Sequence, residues 1–282
     1  MLRSLLTFLG FLLLSASGVG AFDLEFVAAS DDLFDQPHDI VLSPDRRFLY
    51  VSDNGHDRIA VLDANTLALL GTFGGDDVAS PHDVVFDPAG RLLVADTGNS
   101  RIAIFAVDGA NGKLVGELRG GFSRPEGVTV HPSGRVYATG SSSNNIVAFE
   151  NGKPIAEAGG LSSPHDVEVA ADGTVWIADA ANDRLVHMSS DLKTLRTVEG
   201  PSYAFKGPRY LDFDAKGRMY VADKYTHRIK VLGPDLDVIL VIGGNGKGPG
   251  KFDRPEGVEI DGADIWFSDT YNDRIVRYRI ID

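Results

Sequence analysis

The stretch PHDVVFDPAGRLLVADTGNSRIAIF, running from Pro81 to Phe105, packs three strand-like runs and two turns into 25 residues. Pro81-His82-Asp83 opens an apolar run, Asp87-Pro88-Ala89-Gly90 carries the residues a tight turn demands, and Arg91-Leu92-Leu93-Val94-Ala95 forms a second run. A loop of the form Asp-x-x-x-x-Arg, Asp96 to Arg101, leads into a third run, Ile102-Ala103-Ile104-Phe105, and a fourth runs out to Gly120-Gly121. Four short antiparallel strands of this kind make one small sheet. Such a sheet cannot bury both of its faces alone and needs like neighbours.

The neighbours are in the same chain. The same grammar starts at Pro37-His38-Asp39, Pro81-His82-Asp83, Pro125-Glu126-Gly127, Pro164-His165-Asp166, Pro208-Arg209-Tyr210 and Pro255-Glu256-Gly257, at steps of 44, 44, 39, 44 and 47 residues. Six such units predict an all-β, six-bladed β-propeller over residues 22–282. The last unit stops after its third strand, Arg274 to Ile280, whereas Phe22 to Val27 stands before the first unit as an orphan strand. The spacing predicts that this segment closes the ring as the outer strand of the last blade, leaving no open face.

The Pro-x-Gly/Asp-Val start, the strand typified by Gly217-Arg218-Met219-Tyr220-Val221-Ala222-Asp223, and the Asn-x-Arg-Ile step resemble the NHL repeat family across essentially all of residues 22–282. The linker Gly243-Gly244-Asn245-Gly246-Lys247-Gly248-Pro249-Gly250-Lys251-Phe252 is similar to the connections that precede NHL blades. It is not a phosphate-binding P-loop, because Lys247 is followed by Gly248 rather than Ser or Thr.

Composition narrows the functional classes. With 43% hydrophobic residues the chain has material for a core, and 27 basic against 40 acidic residues give a charge of -13 that repels nucleic-acid backbones and anionic lipid. Asp57, Asp183 and Asp273 occupy loops where an RNA-binding face would need bases, so no nucleic-acid partner is expected. The absence of cysteine rules out disulfides, thiolate metal sites and cysteine nucleophiles. Arg3, the apolar run Leu5 to Leu14 and the small residues ending at Ala21 read as a signal peptide over residues 1–21. Export to the periplasm or the exterior follows, with no membrane span after cleavage and a monomeric product.

Two sets of recurring residues have different meanings. Asp53 with Arg58, Asp96 with Arg101, Asp179 with Arg184, Asp223 with Arg228 and Asp269 with Arg274 repeat at one spacing, and unit three lacks both members, with Gly140 and Asn145 instead. Joint loss implies contact, so these pairs are scaffold. The residue after each unit's proline varies chemically at a fixed place: His38, His82, Glu126, His165, Arg209 and Glu256. Inner strands begin beside the axis, so these six form a predicted ligand-binding ring at the mouth of the central channel. His and Glu donors there suit a divalent metal, zinc or calcium, with Arg209 holding an anionic group. The alternative is that the imidazoles only bond neighbouring Asp and backbone groups. His56, His131, His187 and His227 read as solvated or locally satisfied.

Tyr225 and Tyr271 each lie two residues after the loop Asp of their unit. Together with the Pro-His starts, they resemble the peptidyl-hydroxyglycine amidating lyase branch of NHL-like propellers. That resemblance implies a metal held by His82, His165 and Glu256 of units two, four and six, with Tyr225, Tyr271 and Arg209 as catalytic residues of an N-dealkylation. The sequence departs from that branch, with Ser142 where the branch has its tyrosine and Glu256 in place of a third histidine. Two function classes follow: a binding module presenting the Pro-His face to a small molecule, peptide or protein, or a metal-dependent lyase or lactonase-like hydrolase. No Ser-His-Asp or nucleophile-elbow pattern is present.

Overall fold

The computed structural model describes residues 22–282, so the predicted signal peptide lies outside the described residues. Six four-stranded antiparallel sheets are arranged in chain order as blades 1 to 6. Blade 2 is typical: Pro81–Phe86 lies innermost, followed by Arg91–Asp96, Arg101–Asp108 and Asn111–Leu118 at the rim. The Asp87 turn forms as its residues require. Gly90 takes φ +77°, and its N–H donates to the Asp87 carbonyl while the Ala89 and Arg91 N–H groups donate to the Asp87 carboxylate.

Ring closure follows the sequence expectation. Asp23–Ala29 pairs antiparallel with Arg274–Ile281 and completes blade 6, in register from Asp23 opposite Ile281 to Ala29 opposite Val276. Leu24 buries its side chain there against Val276, Tyr278 and Ile280. The apolar core consists of layers between successive blades, such as Tyr50, Val61 and Val78 of blade 1 and its linker against Leu92, Val94 and Phe105 of blade 2. No helix among the described residues is long and apolar enough to cross a membrane.

Four of the five Asp–Arg pairs form, at 2.7 Å for Asp53–Arg58, 2.6 Å for Asp96–Arg101 and Asp179–Arg184, and 2.8 Å for Asp269–Arg274. Blade 5 corrects the expectation. Asp223 takes Lys230 at 2.7 Å, because Lys230 follows Arg228 on the same strand face and reaches inward. In blade 3, Asn145 spans to the Gly121 carbonyl and to Glu157 and so replaces the missing pair.

Each blade begins at a kink. The residues before the six prolines, Gln36, Ser80, Arg124, Ser163, Gly207 and Arg254, all have φ between 43° and 62°. Left-handed backbone is costly for the five that carry a Cβ, and more so ahead of proline. A side-chain acceptor in the preceding blade's loop holds each one. The N–H of Ser80 donates to Asp57 (2.6 Å), Arg124 to Ser100 (2.9 Å), Ser163 to Asn144 (2.8 Å), Gly207 to Asp183 (2.8 Å), Arg254 to His227 (3.2 Å) and Gln36 to Asp273 (3.0 Å).

The inner strands have one edge without a ladder partner, and carboxylates cap it. Asp83 accepts from the Val128 N–H at 2.6 Å, Asp166 from Leu211 at 2.9 Å, Asp212 from Ile260 at 2.8 Å and Glu259 from Leu42 at 2.8 Å, each reaching the next blade. With Asp39 and Glu168 they line a cavity of about 120 Å³ on the axis. Burial pushes the carboxyls of Asp83 and Asp212 up to about 7. Asp212 stays partly accessible from this cavity, so water there tempers the effect.

A carboxyl raised in the folded chain keeps a proton that the unfolded chain releases. The stability contributed by Asp83 and Asp212 is therefore full below the ordinary carboxylate range and is lost as pH climbs toward about 7. The melting temperature is expected to fall between about pH 5 and 8. Asp212→Asn gives up one of the two acceptor oxygens that take the Phe213 and Ile260 N–H groups, so it should melt lower at acid pH, with the gap to wild type narrowing as pH rises. A gap independent of pH in thermal melts would contradict this assignment.

Candidate metal centre at the axial mouth

The kinks turn all six residues that follow the prolines toward the axis. His38 and His82 meet edge to face with ring centroids 4.3 Å apart, and His165 lies 6.1 Å and 5.6 Å from them. One nitrogen from each of the three imidazoles falls within 4.8 Å of the others. Donors bonded to one tetrahedral zinc ion at about 2 Å each lie about 3.3 Å apart, so the widest gap between the rings needs to close by roughly 1.5 Å. Glu126 approaches His165 to 3.4 Å and His82 to 4.0 Å, and Glu256 lies 3.5 Å from His165 and 3.7 Å from His38.

This grouping differs from the alternate-blade ligand set. His82 and His165 are in it, but the third imidazole is His38 of blade 1. Glu256 sits beside the cluster with its Oε1 held by the Lys224 ammonium at 2.5 Å. Lys224 is the residue that sequence reasoning passed over. It follows the loop Asp223, where the other units place Asn54, Thr97, Ser141, Ala180 and Thr270, and being the one charged residue at that position was the available signal.

Burial and nearby cations keep the imidazoles neutral. Desolvation is the largest influence on all three, pulling His38 down to about 3 and lowering His82 and His165. Burial opposes ionisation of Glu256, but His38 when charged, Lys224 and Arg209 outweigh it and hold that carboxyl at about 2. Nδ1 of His82 lies 2.9 Å from the Ser80 carbonyl, 2.9 Å from the Thr97 hydroxyl and 3.2 Å from the Asn54 amide nitrogen, which fixes the ring and leaves Nε2 4.0 Å from Glu126. Nδ1 of His38 and Nδ1 of His165 are buried without any hydrogen-bond partner. The aspartates that follow these histidines do not satisfy them, because Asp39, Asp83 and Asp166 turn to the next blade's backbone instead.

Arg209 lines the opening, with Nη2 3.4 Å from the Tyr225 hydroxyl. Tyr271 lies on the far side of Lys224, whose ammonium is 5.9 Å from the Tyr225 ring and 5.3 Å from the Tyr271 ring. All eight residues singled out for this face thus reach one neighbourhood. The remaining histidines have local roles: His56 bonds Asp53 at 2.9 Å, His131 bonds Ser133 at 2.8 Å, His187 stacks on Trp176 and His227 holds the Arg254 kink.

The comparisons with known proteins agree with the repeat reading. "NHL repeat-containing protein 2" of Homo sapiens is 25% identical over 295 residues, covering 87% of this chain and 39% of the relative. The chain is an NHL-type β-propeller. This propeller spans only 25% to 39% of the length of the curated relatives it matches. The family model described as "Lactonase, 7-bladed beta-propeller" matches residues 28–132, and the structure has six blades rather than seven. A streptogramin B lyase structure superposes with TM-score 0.68 at 14% identity over 92% of this chain and 98% of its own. An auxiliary nutrient binding protein from Bacteroides ovatus gives 0.70 at 15% identity over 93% and 77%. At these identities the propeller shares its fold with both.

Gly207 explains the placement of Tyr225 within this propeller. A Cβ at position 207 would lie 2.6 Å from the Tyr225 ring, whereas Gln36, Ser80, Arg124, Ser163 and Arg254 fill the equivalent kinks elsewhere. Gly207→Ala is expected to lower stability by about 1–3 kcal/mol, through the left-handed backbone and the displaced ring. In a double-mutant cycle read by thermal melts, Tyr225→Ala should recover the ring's share of that loss. Strict additivity would show that the ring does not rest on Gly207.

Proposed function

We propose that the axial mouth is a divalent-metal centre and that the protein is an exported module binding a small ligand over that metal. Three neutral imidazoles from blades 1, 2 and 4, two of them with buried nitrogens lacking any partner, carry this reading. The nitrogen-rich donor set favours zinc over calcium, which prefers six to eight oxygens. His38, His82 and His165 would hold the ion, with Glu126 and Glu256 as flanking carboxylates. Bound there, it would supply a Lewis acid facing the opening. Arg209 would hold an anionic group of the ligand, and Lys224 would keep Glu256 ionised in its buried position.

A metal-dependent enzyme is the second reading, favoured by the Tyr225 hydroxyl 3.4 Å from Arg209 at the edge of the cluster. In that case Tyr225 would move a proton at the reacting atom while Arg209 orients the anion. The two structural neighbours point either way, one a lyase and the other a nutrient-binding protein. Export rests on the Arg3 to Ala21 segment.

Calorimetric titration of the chelator-treated protein with zinc is expected to give one site per chain. His38→Ala, His82→Ala and His165→Ala should each weaken it by about a hundredfold or more, as loss of one of three protein ligands does. Glu126→Gln should cost less. No zinc uptake, or uptake indifferent to all three histidine substitutions, would defeat the proposal.

A further inference from the structure

Tyr225 and Tyr271, 56% and 38% exposed, are the exposed aromatic side chains among the described residues, and both stand on one rim of the metal centre. Two exposed rings on the same rim of a polar opening offer flat amphipathic surface to a ligand. Cations accompany these two. Lys224 sits between the rings, the Arg209 guanidinium lies 5.8 Å from the Tyr225 centroid, and that of Arg254 lies 4.5 Å from the Tyr271 centroid. Arg209, Lys224 and Arg254 thus gather on one rim of a chain with net charge -13.

The charge balance of the mouth gives the second part of the argument. Glu126 and Glu256 face Arg209 and Lys224, which offset them, and an imidazole binds a metal as the neutral ring. A divalent ion therefore leaves two positive charges without an internal counter-ion in a buried setting. An anion from outside would offset them, and the open side is the rim that carries the tyrosines.

We propose that the ligand of this centre is a carboxylate anion bearing a flat aromatic group, with the carboxylate toward the metal and Arg209 and the flat part on Tyr225 and Tyr271. This rests on the metal reading above. Metal and anion then bind cooperatively, each raising the affinity of the other by the same factor. The rings supply a stacking platform, and their neighbouring cations polarise it.

The test uses the full chain with benzoate as probe, benzamide as its neutral isostere and acetate as an anion without a ring. In calorimetric titrations, zinc-loaded protein is expected to bind benzoate about tenfold or more tightly than either comparator, and zinc to raise benzoate affinity by a similar factor. The doubly substituted Tyr225→Ala, Tyr271→Ala protein should lose about tenfold for benzoate while keeping its zinc and acetate affinities. These side chains are exposed, so the variant is expected to fold, and a thermal melt checks it. Zinc binding with benzoate no better than benzamide, no better than acetate, or indifferent to zinc overturns this inference alone. Absence of zinc binding overturns the metal reading as well, which keeps the two failures apart.

Discussion

The organisation of this propeller depends on a backbone kink repeated six times: a left-handed residue followed by proline, pinned by a side chain from the blade before. Without the pin, the residue before a proline would relax toward extended backbone, and the next side chain would swing off the axis. The pinning residues are themselves left-handed, with φ between 50° and 59°, and five of the six are Asp, Asn or His, the sixth being the small Ser. All six are in fact Asp57, Ser100, Asn144, Asp183, His227 and Asp273, of which Asp, Asn and His tolerate that region best. Each blade thereby sets the geometry of the next, and the hub is assembled by the ring as a whole rather than by any single repeat.

Beneath the hub the same packing leaves a second layer with opposite chemistry. Inner strands present unpaired N–H groups toward their neighbours, and carboxylates satisfy them at the cost of being buried together. The upper layer therefore presents nitrogen donors kept neutral by burial and cations, and the lower layer presents carboxyls whose burial draws protons onto them. One residue separates the layers in each Pro-His-Asp start, because successive side chains leave a strand in different directions.

Much of this was legible in the sequence because it is periodic. The proline spacing revealed the six blades, the orphan segment before Pro37 revealed the closing strand, and the residues after the prolines revealed the hub. What was not legible depends on reach rather than period. Lys230 displaces Arg228 at Asp223 because of where a long side chain can fold back, and Lys224 enters the hub by the same freedom. His38 rather than Glu256 stands with His82 and His165 in the cluster of three imidazoles, while Glu256 lies 2.5 Å from the Lys224 ammonium, a contact set by the reach of that lysine. The Asp loops that argued against RNA binding proved to hold the kinks, a role no single loop reveals.

X-ray absorption at the zinc edge, on protein loaded with one equivalent of zinc, tests the central claim most directly. The account predicts scattering from three imidazole rings with nitrogen at about 2.0–2.1 Å. A shell of oxygen alone, without imidazole scattering, would mean that the three histidines meet without gripping an ion.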